Sequence, residues 1–309
     1  MTVARAAGKV ILVGEHAVVY GRPAIAVPVT EVQAEARVES GEPGRGVVVV
    51  APDLERSIVV REAAEEEPLA HIVRVTLAAL GCKADPDLTV TVTSTLPIAR
   101  GMGSGAAVST AIVRALVKHE GRWLSSRAIS ELVYQTEVIY HGTPSGIDNT
   151  VIAFEKPVYF VKDEGWEVFW VGRPFRLVIA DTGIESSTRE AVGDLRQRYE
   201  AAPERYQPLF DRAGEIAAAA RVAIEEGRPG ELGRLMDENH ALLQQMGVSC
   251  SGLDRLVAAA REGGALGAKL SGAGRGGNMI ALVTDETQGR VDMMLRLAGA
   301  VRVISTTVR

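Results

Sequence analysis

Two cysteines are all that this chain of 309 residues contains, and Cys82 and Cys250 lie far apart in it. Neither a disulfide framework nor a cysteine-based zinc site is expected from such a pair. Long apolar runs are also missing, since none approaches the roughly 18 residues that a membrane-spanning helix needs. The early run Val10–Val13 is followed at once by Gly-Glu-His, which is not the pattern of a signal peptide. A cytoplasmic protein with no membrane partner is therefore expected.

An excess of positive charge is absent as well. The formal net charge is -5 and the sequence pI is about 5.7, which argues against a protein that coats nucleic acid through its overall charge. This balance leaves room for a local basic pocket that binds a phosphate. Hydrophobic residues make up 47% and charged residues 24%, as in an ordinary globular protein. At about 150 residues per domain, the length suggests roughly two domains.

The spacing of apolar residues predicts a fold that contains both helices and strands. Strands are expected where β-branched residues cluster or alternate with polar ones, and helices where apolar residues recur every three or four positions. The predicted strands are Lys9–Val13, Val32–Val38, Val47–Val50, Ser57–Val60, Thr89–Thr95, Phe175–Asp181, Leu266–Ser271, Met279–Val283 and Val301–Val308. The predicted helices are Leu69–Leu80, Ala106–His119, Ser125–His141, Glu190–Tyr199, Glu204–Glu226, Pro229–Met246, Ser251–Glu262 and Glu286–Leu297. In the second half of the chain, helices on a short antiparallel sheet form an α+β layer.

The densest local signal is the glycine-rich stretch 97–107, which reads PIARGMGSGAA. Three glycines within five positions let the backbone close around an anion, and the helix that follows directs free N–H groups and the positive end of its dipole toward the loop. Ser104 adds a hydroxyl that suits a Mg²⁺ ligand. A glycine-rich turn that serves only chain reversal is the competing interpretation.

Two familiar nucleotide-binding loops do not fit this stretch. No Gly-Lys-Ser/Thr follows, so it is not a Walker A loop. Gly101, Gly103 and Ala106 match the G-x-G-x-x-A spacing of a dinucleotide-binding fingerprint, but residues 118–130 offer no second strand that ends in an acidic residue. A dinucleotide-binding oxidoreductase is therefore a disfavoured alternative.

A second glycine cluster occupies residues 269–277, which read KLSGAGRGG. It lies between two predicted strands, so a Rossmann interpretation fails here too. Four glycines in six residues exceed what a tight strand connection needs. This favours a second loop over a ligand phosphate.

Two further clusters carry ionisable side chains. Glu137 and His141 are four residues apart and share one helix face, and Asp148 follows in a predicted tight turn at 141–149, as exposed catalytic carboxylates often do. A lone Asp in a loop is more often a turn residue. Near the N-terminus, Lys9 opens an apolar strand, where a lysine usually extends to solvent, and the Glu-His pair after that strand is typical of a surface turn.

Taken together, these clusters resemble the GHMP small-molecule kinases. Residues 8–21, GKVILVGEHAVVYG, resemble the family's N-terminal motif, residues 97–107 its second motif, the ATP phosphate loop, and residues 269–277 its third. Residues 141–149, HGTPSGIDN, and 181–189, DTGIESSTR, are similar to the branch of the family that phosphorylates mevalonate. The resemblance covers nearly the whole chain.

The resemblance implies a two-domain α+β fold and a reaction. Residues 1–165 would form an N-terminal GHMP kinase domain that resembles ribosomal protein S5 domain 2 and carries the ATP phosphate loop, and residues 166–309 a ferredoxin-like C-terminal GHMP domain. The implied reaction moves the γ-phosphoryl group of ATP to the C5 hydroxyl of mevalonate, with Mg²⁺ as cofactor. ATP and mevalonate are thus the expected partners, nucleic acid and membranes are not, and a homodimer is left open.

Individual side chains also receive roles from this resemblance. Asp148 would accept or orient the hydroxyl proton, and Lys9 would lower the pKa of that hydroxyl. Mg²⁺ would be held by Glu137 and Ser104. The residues expected to bind ATP are Pro97, Arg100, Gly101, Met102, Gly103, Ser104, Gly105, Ala106, Gly272 and Gly274. The residues expected to bind the acceptor substrate are Glu15, His16, Ser145 and Thr188.

One departure from the family pattern concerns the metal. The phosphate loop usually has two adjacent serines after its second glycine, and here Ser104 is followed by Gly105. Either Ser104 takes the metal-side role, or Glu137 and water supply more of the Mg²⁺ shell.

The identity of the acceptor leaves alternatives. The acceptor-side segments contain a single arginine, Arg189, which favours a substrate with one carboxylate over a phosphorylated one. That argument assumes that no distant arginine, such as Arg196, folds back. Another GHMP kinase, acting on phosphomevalonate, mevalonate 3-phosphate or a sugar, is the nearest alternative. A catalytically silent ligand sensor is a second, although the presence of both Lys9 and Asp148 counts against it.

Overall fold

The computed structural model describes residues 1–97, 101–142, 144–185 and 188–309. Its strands are β1 (Thr2–Val13), β2 (Ala24–Ser40), β3 (Val47–Ala51), β4 (Arg56–Val59), β5 (Leu88–Ser94), β6 (Val158–Val161), β7 (Gly165–Val168), β8 (Phe175–Asp181), β9 (Gly267–Ser271), β10 (Asn278–Val283) and β11 (Arg302–Val308). Its α-helices are α1 (Pro68–Ala79), α2 (Ser104–His119), α3 (Ser126–His141), α4 (Ile147–Phe154), α5 (Thr188–Ala201), α6 (Pro203–Glu225), α7 (Pro229–Gln245), α8 (Ser251–Glu262) and α9 (Gln288–Leu297). The chain forms two compact units: unit 1 holds residues 1–9, 32–98 and 102–155, and unit 2 holds residues 10–31, 99–101 and 156–309.

Unit 1 is built on a sheet with the strand order β4-β3-β5-β2. β3 is antiparallel to β4 and parallel to β5, and β5 is antiparallel to the second half of β2, so that Ala36 lies opposite Val92. The Val–Thr alternation of β5 turns Val90 and Val92 into the core, where they are 0% and 4% exposed, because successive side chains of a strand point to opposite faces. Helices α1, α2, α3 and α4 pack against one another in this unit.

Unit 2 contains an antiparallel four-stranded sheet in the order β11-β8-β10-β9. Numbered along the chain, these strands are the fourth, first, third and second, the split arrangement of a ferredoxin-like fold. Helices α5 to α8 are inserted between β8 and β9. β10 is buried along its whole length. It lies between β8 and β9, where Ile280 is opposite Ile179 and Lys269. In the same unit, Ala24–Ala26 of β2 pair with β6, and β6 pairs with β7.

Most of the predicted elements are confirmed. The hairpin expected between Val47 and Val60 is formed by β3 and β4, and β8 has the predicted bounds. The helix predicted to begin near Ser125 begins at Ser126, because the Ser125 hydroxyl accepts a hydrogen bond from the backbone N–H of Ala128. β6 and β7 were missed, since runs of four residues are too short to show an alternation.

The segment 141–149 is not the tight turn that its glycines and proline predict. Helix α4 begins inside it, so Asp148 lies in the first turn of a helix. Gly146 caps that helix with φ 88°, a value that favours glycine, and Ile147 and Val151 anchor it because both are buried. The glycines dominate the local sequence pattern and conceal the short helix that follows them.

The α+β class is confirmed by these elements and their pairing. The domain boundary expected between residues 165 and 166 stays a prediction. In the part of the chain that the structure describes, no helix is both long enough and apolar enough to cross a bilayer.

Candidate active site

Lys9 and Asp148 form the contact around which the site in unit 1 is arranged. Nζ of Lys9 lies 2.9 Å from Oδ1 of Asp148, and the two side chains are 5% and 28% exposed. Lys9 is fixed in β1, where its backbone N–H donates to the carbonyl oxygen of Met102 over 3.1 Å. The lysine therefore does not extend to solvent as a lone strand lysine usually does.

The loop before α2 is shaped to fit around this lysine. A Cβ on Gly103 would lie 3.2 Å from Cγ of Lys9 and 2.9 Å from Cδ1 of Ile152. Gly101 and Gly103 have φ of 73° and 70°, the left-handed region that favours glycine. α2 then begins at Ser104, and its first turn leaves backbone N–H groups free for an anion.

The remaining residues predicted to bind ATP in this loop differ in exposure. Pro97 and Ser104 are half-buried, and Met102 and Ala106 are buried. Arg100 lies outside the described residues.

Asp148 is held in place by the hydrogen bonds of α4. The Asn149 amide donates to the carbonyl oxygen of Ser130 over 3.1 Å and to its hydroxyl over 2.8 Å. The Thr150 hydroxyl donates to the carbonyl oxygen of Gly146 over 2.7 Å. Both residues are buried, so the helix that carries Asp148 is tied to α3.

Glu137 of α3 is a buried carboxylate, 3% exposed. Its pKa is raised to about 8, chiefly by burial and secondly by the negative charge of Asp148, while the charge of Lys9 opposes the shift. Its Oε1 has no hydrogen-bond partner among the described residues, and its Oε2 lies 3.7 Å from Nε2 of His141. A buried carboxylate oxygen without a partner is a suitable ligand for Mg²⁺.

The Mg²⁺ implied by the family would be shared between the protein and the phosphates of the nucleotide. Within the described ranges, no group of three or more His, Cys, Asp or Glu is placed to hold a metal ion. Mg²⁺ is commonly bound through one or two carboxylates together with substrate phosphates and water. Glu137 and the hydroxyl of Ser104 at the start of α2 fit that arrangement.

Gly105 occupies the position of the family's second serine. A Cβ there would lie 3.1 Å from Cε2 of Tyr140 and 3.3 Å from Oε1 of Glu137. The Tyr140 ring therefore takes up part of the space that a side chain at position 105 would need. Burial raises the pKa of the Tyr140 hydroxyl to about 12, so this neighbour of Glu137 is neutral at physiological pH.

In unit 2, Glu15 and His16 follow β1 and are both buried, 1% and 5% exposed. Nε2 of His16 lies 2.9 Å from the carbonyl oxygen of Ala273. Because a carbonyl oxygen only accepts, Nε2 carries the proton. Burial lowers the pKa of His16 to about 4; the Ala273 contact opposes this shift, and the charges of Arg198 and Arg275 add to it. Nδ1 is therefore an uncharged acceptor at neutral pH.

Glu15 has an unexpected partner in the third motif. Nζ of Lys269 donates to Oε1 of Glu15, and also to the carbonyl oxygen of Leu270 over 2.6 Å. Lys269 is 0% exposed. Burial raises the pKa of Glu15 and lowers that of Lys269, and each charge opposes the shift of the other. Direct contact between Glu15 and a substrate, as predicted from the family, stays a prediction.

The third motif forms a glycine loop between β9 and β10. A Cβ on Gly274 would lie 1.9 Å from the carbonyl oxygen of Val248, whereas one on Gly272 would meet nothing within 4 Å. Gly274 is thus required by packing, and Gly272 has open space beside it that suits a ligand. Both have positive φ, 76° and 92°.

Two predicted substrate residues lie at the starts of helices. The Ser145 hydroxyl accepts from the backbone N–H of Ile147 over 3.4 Å, and Thr188 is the first residue of α5. Both side chains are exposed. Neither position is buried, so both remain available to a ligand.

Similarity to known kinases extends along nearly the whole chain. Family models match it at residues 69–156 (GHMP kinases N terminal domain) and at residues 220–291 (GHMP kinases C terminal). Mevalonate kinase of Pyrococcus furiosus is 36% identical, with 99% of this chain and 96% of that protein covered. Mevalonate kinase of Thermococcus sibiricus is 34% identical, again with 99% and 96% covered. The chain belongs to the GHMP kinase family, in its mevalonate kinase branch.

Solved structures of other GHMP kinases share this fold. Mevalonate kinase of L. major, in complex with R-mevalonate, matches with a TM-score of 0.85 at 29% identity, covering 100% of this chain and 96% of that chain. Phosphomevalonate kinase of Streptococcus pneumoniae matches with a TM-score of 0.82 at 16% identity, covering 99% and 100%. Since both kinases have the fold, the fold alone does not select the acceptor substrate.

Three functional candidates of this GHMP kinase were not predicted from its sequence. Lys269 belongs to the third motif, but its pairing with Glu15 joins residues 254 positions apart and leaves no local pattern. Arg198 and Arg275 both act on His16 through their charge. A count of cations by segment, which found only Arg189 near the acceptor, was therefore incomplete.

Proposed function

We propose that this GHMP kinase transfers the γ-phosphoryl group of ATP to the C5 hydroxyl of mevalonate. Relatives at 36% and 34% identity over nearly the full length are mevalonate kinases, and a mevalonate-bound enzyme is similar in structure at 29% identity. The observation that carries the proposal in this chain is the contact between Lys9 and Asp148, within the electrostatic influence of the buried carboxylate of Glu137. The chain is an enzyme, with ATP as co-substrate.

In the proposed reaction, the C5 oxygen forms a bond to the γ-phosphorus while the bond from that phosphorus to the β–γ bridging oxygen breaks, and ADP leaves. Such a transfer depends on positioning and charge neutralisation more than on covalent chemistry by the protein. Asp148 accepts the proton of the hydroxyl. Lys9, 2.9 Å from Asp148, stabilises the negative charge that develops on the acceptor oxygen.

Glu137 and Ser104 are the residues proposed to hold Mg²⁺. When bound, the ion neutralises phosphate oxygens. The unpartnered Oε1 of Glu137 supports its role, and the place of Ser104 at the start of α2 supports the second ligand. Backbone N–H groups at that end of α2 bind phosphate oxygens.

The proposal also gives three side chains a role toward the acceptor substrate. The neutral Nδ1 of His16 hydrogen-bonds a substrate hydroxyl, and the exposed hydroxyls of Ser145 and Thr188 bind polar groups of the acceptor. Residues 1–165 act as the ATP-phosphate domain and residues 166–309 as the second GHMP domain. A cytoplasmic location belongs to the same proposal, which needs no nucleic acid or membrane, and a homodimer is compatible with it.

A comparison of three acceptors tests this function. ADP formation is measured with mevalonate, 5-phosphomevalonate and galactose, each with Mg²⁺ and ATP, and the product is located at C5 by phosphorus NMR. Asp148→Asn serves as the inactive control. We expect turnover with mevalonate only. Phosphorylation of 5-phosphomevalonate instead would contradict the proposed acceptor and would mean that the enzyme acts on the phosphorylated form of mevalonate.

A further inference from the structure

In unit 2, a fully buried ion pair joins β9 to the segment after β1, and the proposed reaction assigns it no chemical step. Lys269 of β9 and Glu15 after β1 are 0% and 1% exposed, and Nζ of the lysine donates to Oε1 of the glutamate. Removing two charges from water is costly, and a buried pair can often be replaced by apolar residues without loss of stability. Stability alone therefore does not account for this pair.

Two consecutive residues of α7 hold the backbone on either side of the pair. Oδ1 of Asn239 accepts from the backbone N–H of Gly14 over 3.3 Å, and Nδ1 of His240 accepts from the backbone N–H of Leu270 over 3.3 Å. Both residues are buried, 0% and 2% exposed. One turn of α7 thus fixes the residue before the glutamate and the residue after the lysine.

The pair also reaches the loop that follows β9. The backbone N–H of Gly272 lies against the carboxylate of Glu15 and lowers its pKa. The next residue, Ala273, accepts the hydrogen bond from Nε2 of His16 over 2.9 Å. The neighbours Glu15 and His16 therefore contact the neighbours Gly272 and Ala273 of one loop.

His16 needs such support because its backbone is strained. Its φ of 61° and ψ of -48° lie outside the regions that residues other than glycine ordinarily occupy. Strained residues persist where the surrounding structure holds them, and they are concentrated at functional sites. Glu15 directly precedes His16 in the chain, so the contacts of Glu15 restrain the backbone next to this strained residue.

We propose that Glu15 and Lys269 are positioning residues, which hold the loop at Gly272–Ala273 so that His16 keeps one ring orientation and one tautomer. Nδ1 of His16 then presents a neutral acceptor in a fixed direction. The identity of the ligand of Nδ1 rests on the proposed function, since there it is a hydroxyl of the acceptor substrate. The orientation and tautomer of the ring do not depend on that function.

The test removes both charges at once, so that no single charge is left buried. Glu15→Gln/Lys269→Met is compared with Asp292→Asn/Arg296→Met, which removes an exposed ion pair from α9. Nitrogen-15 NMR of the imidazoles reports the tautomer and pKa of His16. The chain has only 5 histidines, and His16→Ala assigns the signal.

In the wild type and in the α9 control we expect a protonated Nε2, an unprotonated Nδ1 and a pKa for His16 near 4. In the Glu15→Gln/Lys269→Met variant we expect a mixture of tautomers. We also expect kcat/KM for mevalonate to fall about 100-fold, as for a misplaced binding group, with the KM for ATP unchanged.

Two results would overturn the proposal. One is a wild-type spectrum in which Nδ1 carries the proton, whatever the variants do. The other is a double variant with the wild-type His16 spectrum. If the wild type does not phosphorylate mevalonate, the proposed function fails, while the spectrum still decides the positioning role.

Discussion

Nζ of Lys9 approaches Oδ1 of Asp148 to 2.9 Å, and the lysine is the buried partner, with 5% of its side chain exposed against 28% for the aspartate. Because the ammonium group of Lys9 is the more buried of the two, it is fixed in position, whereas the carboxylate of Asp148 remains accessible to a substrate. The same cation can stabilise negative charge on an oxygen that loses its proton to that carboxylate. This arrangement favours a catalytic interpretation of Asp148 over a turn residue.

Asp148→Asn and Lys9→Met should each lose most turnover while ATP still binds. A general base typically contributes about 10²–10⁴-fold to the rate, and neither change alters the buried residues Asn149 and Thr150 that tie α4 to α3. Steady-state kinetics, nucleotide titration and a melting curve measure the three properties. Turnover of Asp148→Asn near the wild-type rate would remove Asp148 from the reaction, and an unfolded variant would favour a structural capping role.

Glu137→Gln should raise the Mg²⁺ concentration needed for half-maximal activity more than it raises the KM for mevalonate. The unpartnered, buried Oε1 of Glu137 suits a hard cation, and an amide oxygen is a weaker ligand than a carboxylate. Activity is measured over a series of Mg²⁺ concentrations at saturating ATP and mevalonate. Identical Mg²⁺ curves for variant and wild type would exclude Glu137 from the metal site.

Gly105 can be tested against the same metal requirement. Gly105→Ser adds a hydroxyl close to Oε1 of Glu137, and its Cβ would lie 3.1 Å from the ring of Tyr140, which is 41% exposed and has room to move outward. Gly105→Ala is the matched control, since it adds the same Cβ without the hydroxyl. We expect the serine variant to need less Mg²⁺ than the alanine variant and no more than the wild type. Equal Mg²⁺ curves for the two variants would show that no ligand has been added.

Two buried histidines should contribute less to the stability of the protein in acid than at neutral pH. Burial lowers the pKa of His16 and of His240 from 6.5 to about 4, so between these values the unfolded chain binds a proton that the folded chain does not. The contribution of the two uncharged histidines to the free energy of unfolding is complete above pH 6.5 and is lost as the pH falls toward 4. From pH 7 to pH 5 each histidine should lower the free energy of unfolding by about 2 kcal/mol.

Urea denaturation at the two pH values measures this effect. His240→Asn keeps an acceptor for the backbone N–H of Leu270 and removes one titrating group. Its free energy of unfolding should therefore fall less between pH 7 and pH 5 than that of the wild type. An equal fall in both proteins would show that His240 is protonated in the folded state at pH 5.

The sequence predicts the elements of this fold where a period runs over many residues, as in α2, α7 and β8. It fails at α4 because Gly146 and its neighbours give the stronger local signal. For the candidate site, glycine spacing predicts a phosphate loop, since a tight backbone around an anion leaves a local pattern. The pairing of Lys269 with Glu15 and the packing of Tyr140 on Gly105 arise only from tertiary contacts, which no spacing along the chain records.

The choice of acceptor no longer follows from counting arginines, because the charges of Arg198 and Arg275 reach His16. Arg275 is compensated, because its Nη1 lies 2.5 Å from Oδ2 of Asp194. Arg198 donates only to the neutral carbonyl oxygens of Asp194 and Gly247, and its Nη2 has no hydrogen-bond partner among the described residues. His16 is uncharged at neutral pH, so one uncompensated cation near it suits a single carboxylate better than a phosphate dianion.

Mevalonate should therefore be preferred over 5-phosphomevalonate by at least about 100-fold in kcat/KM, since binding a phosphate dianion normally requires several uncompensated cations. His16→Ala should raise the KM for mevalonate and lower kcat together, because it removes a group that positions the acceptor. The matched control is His119→Ala, which removes a histidine outside the proposed site. Steady-state kinetics with both acceptors decide the matter: a preference for 5-phosphomevalonate would mean that Arg198 or Arg275 exchanges its present partner for the substrate phosphate, and Arg198→Gln and Arg275→Gln would then show which of the two does so.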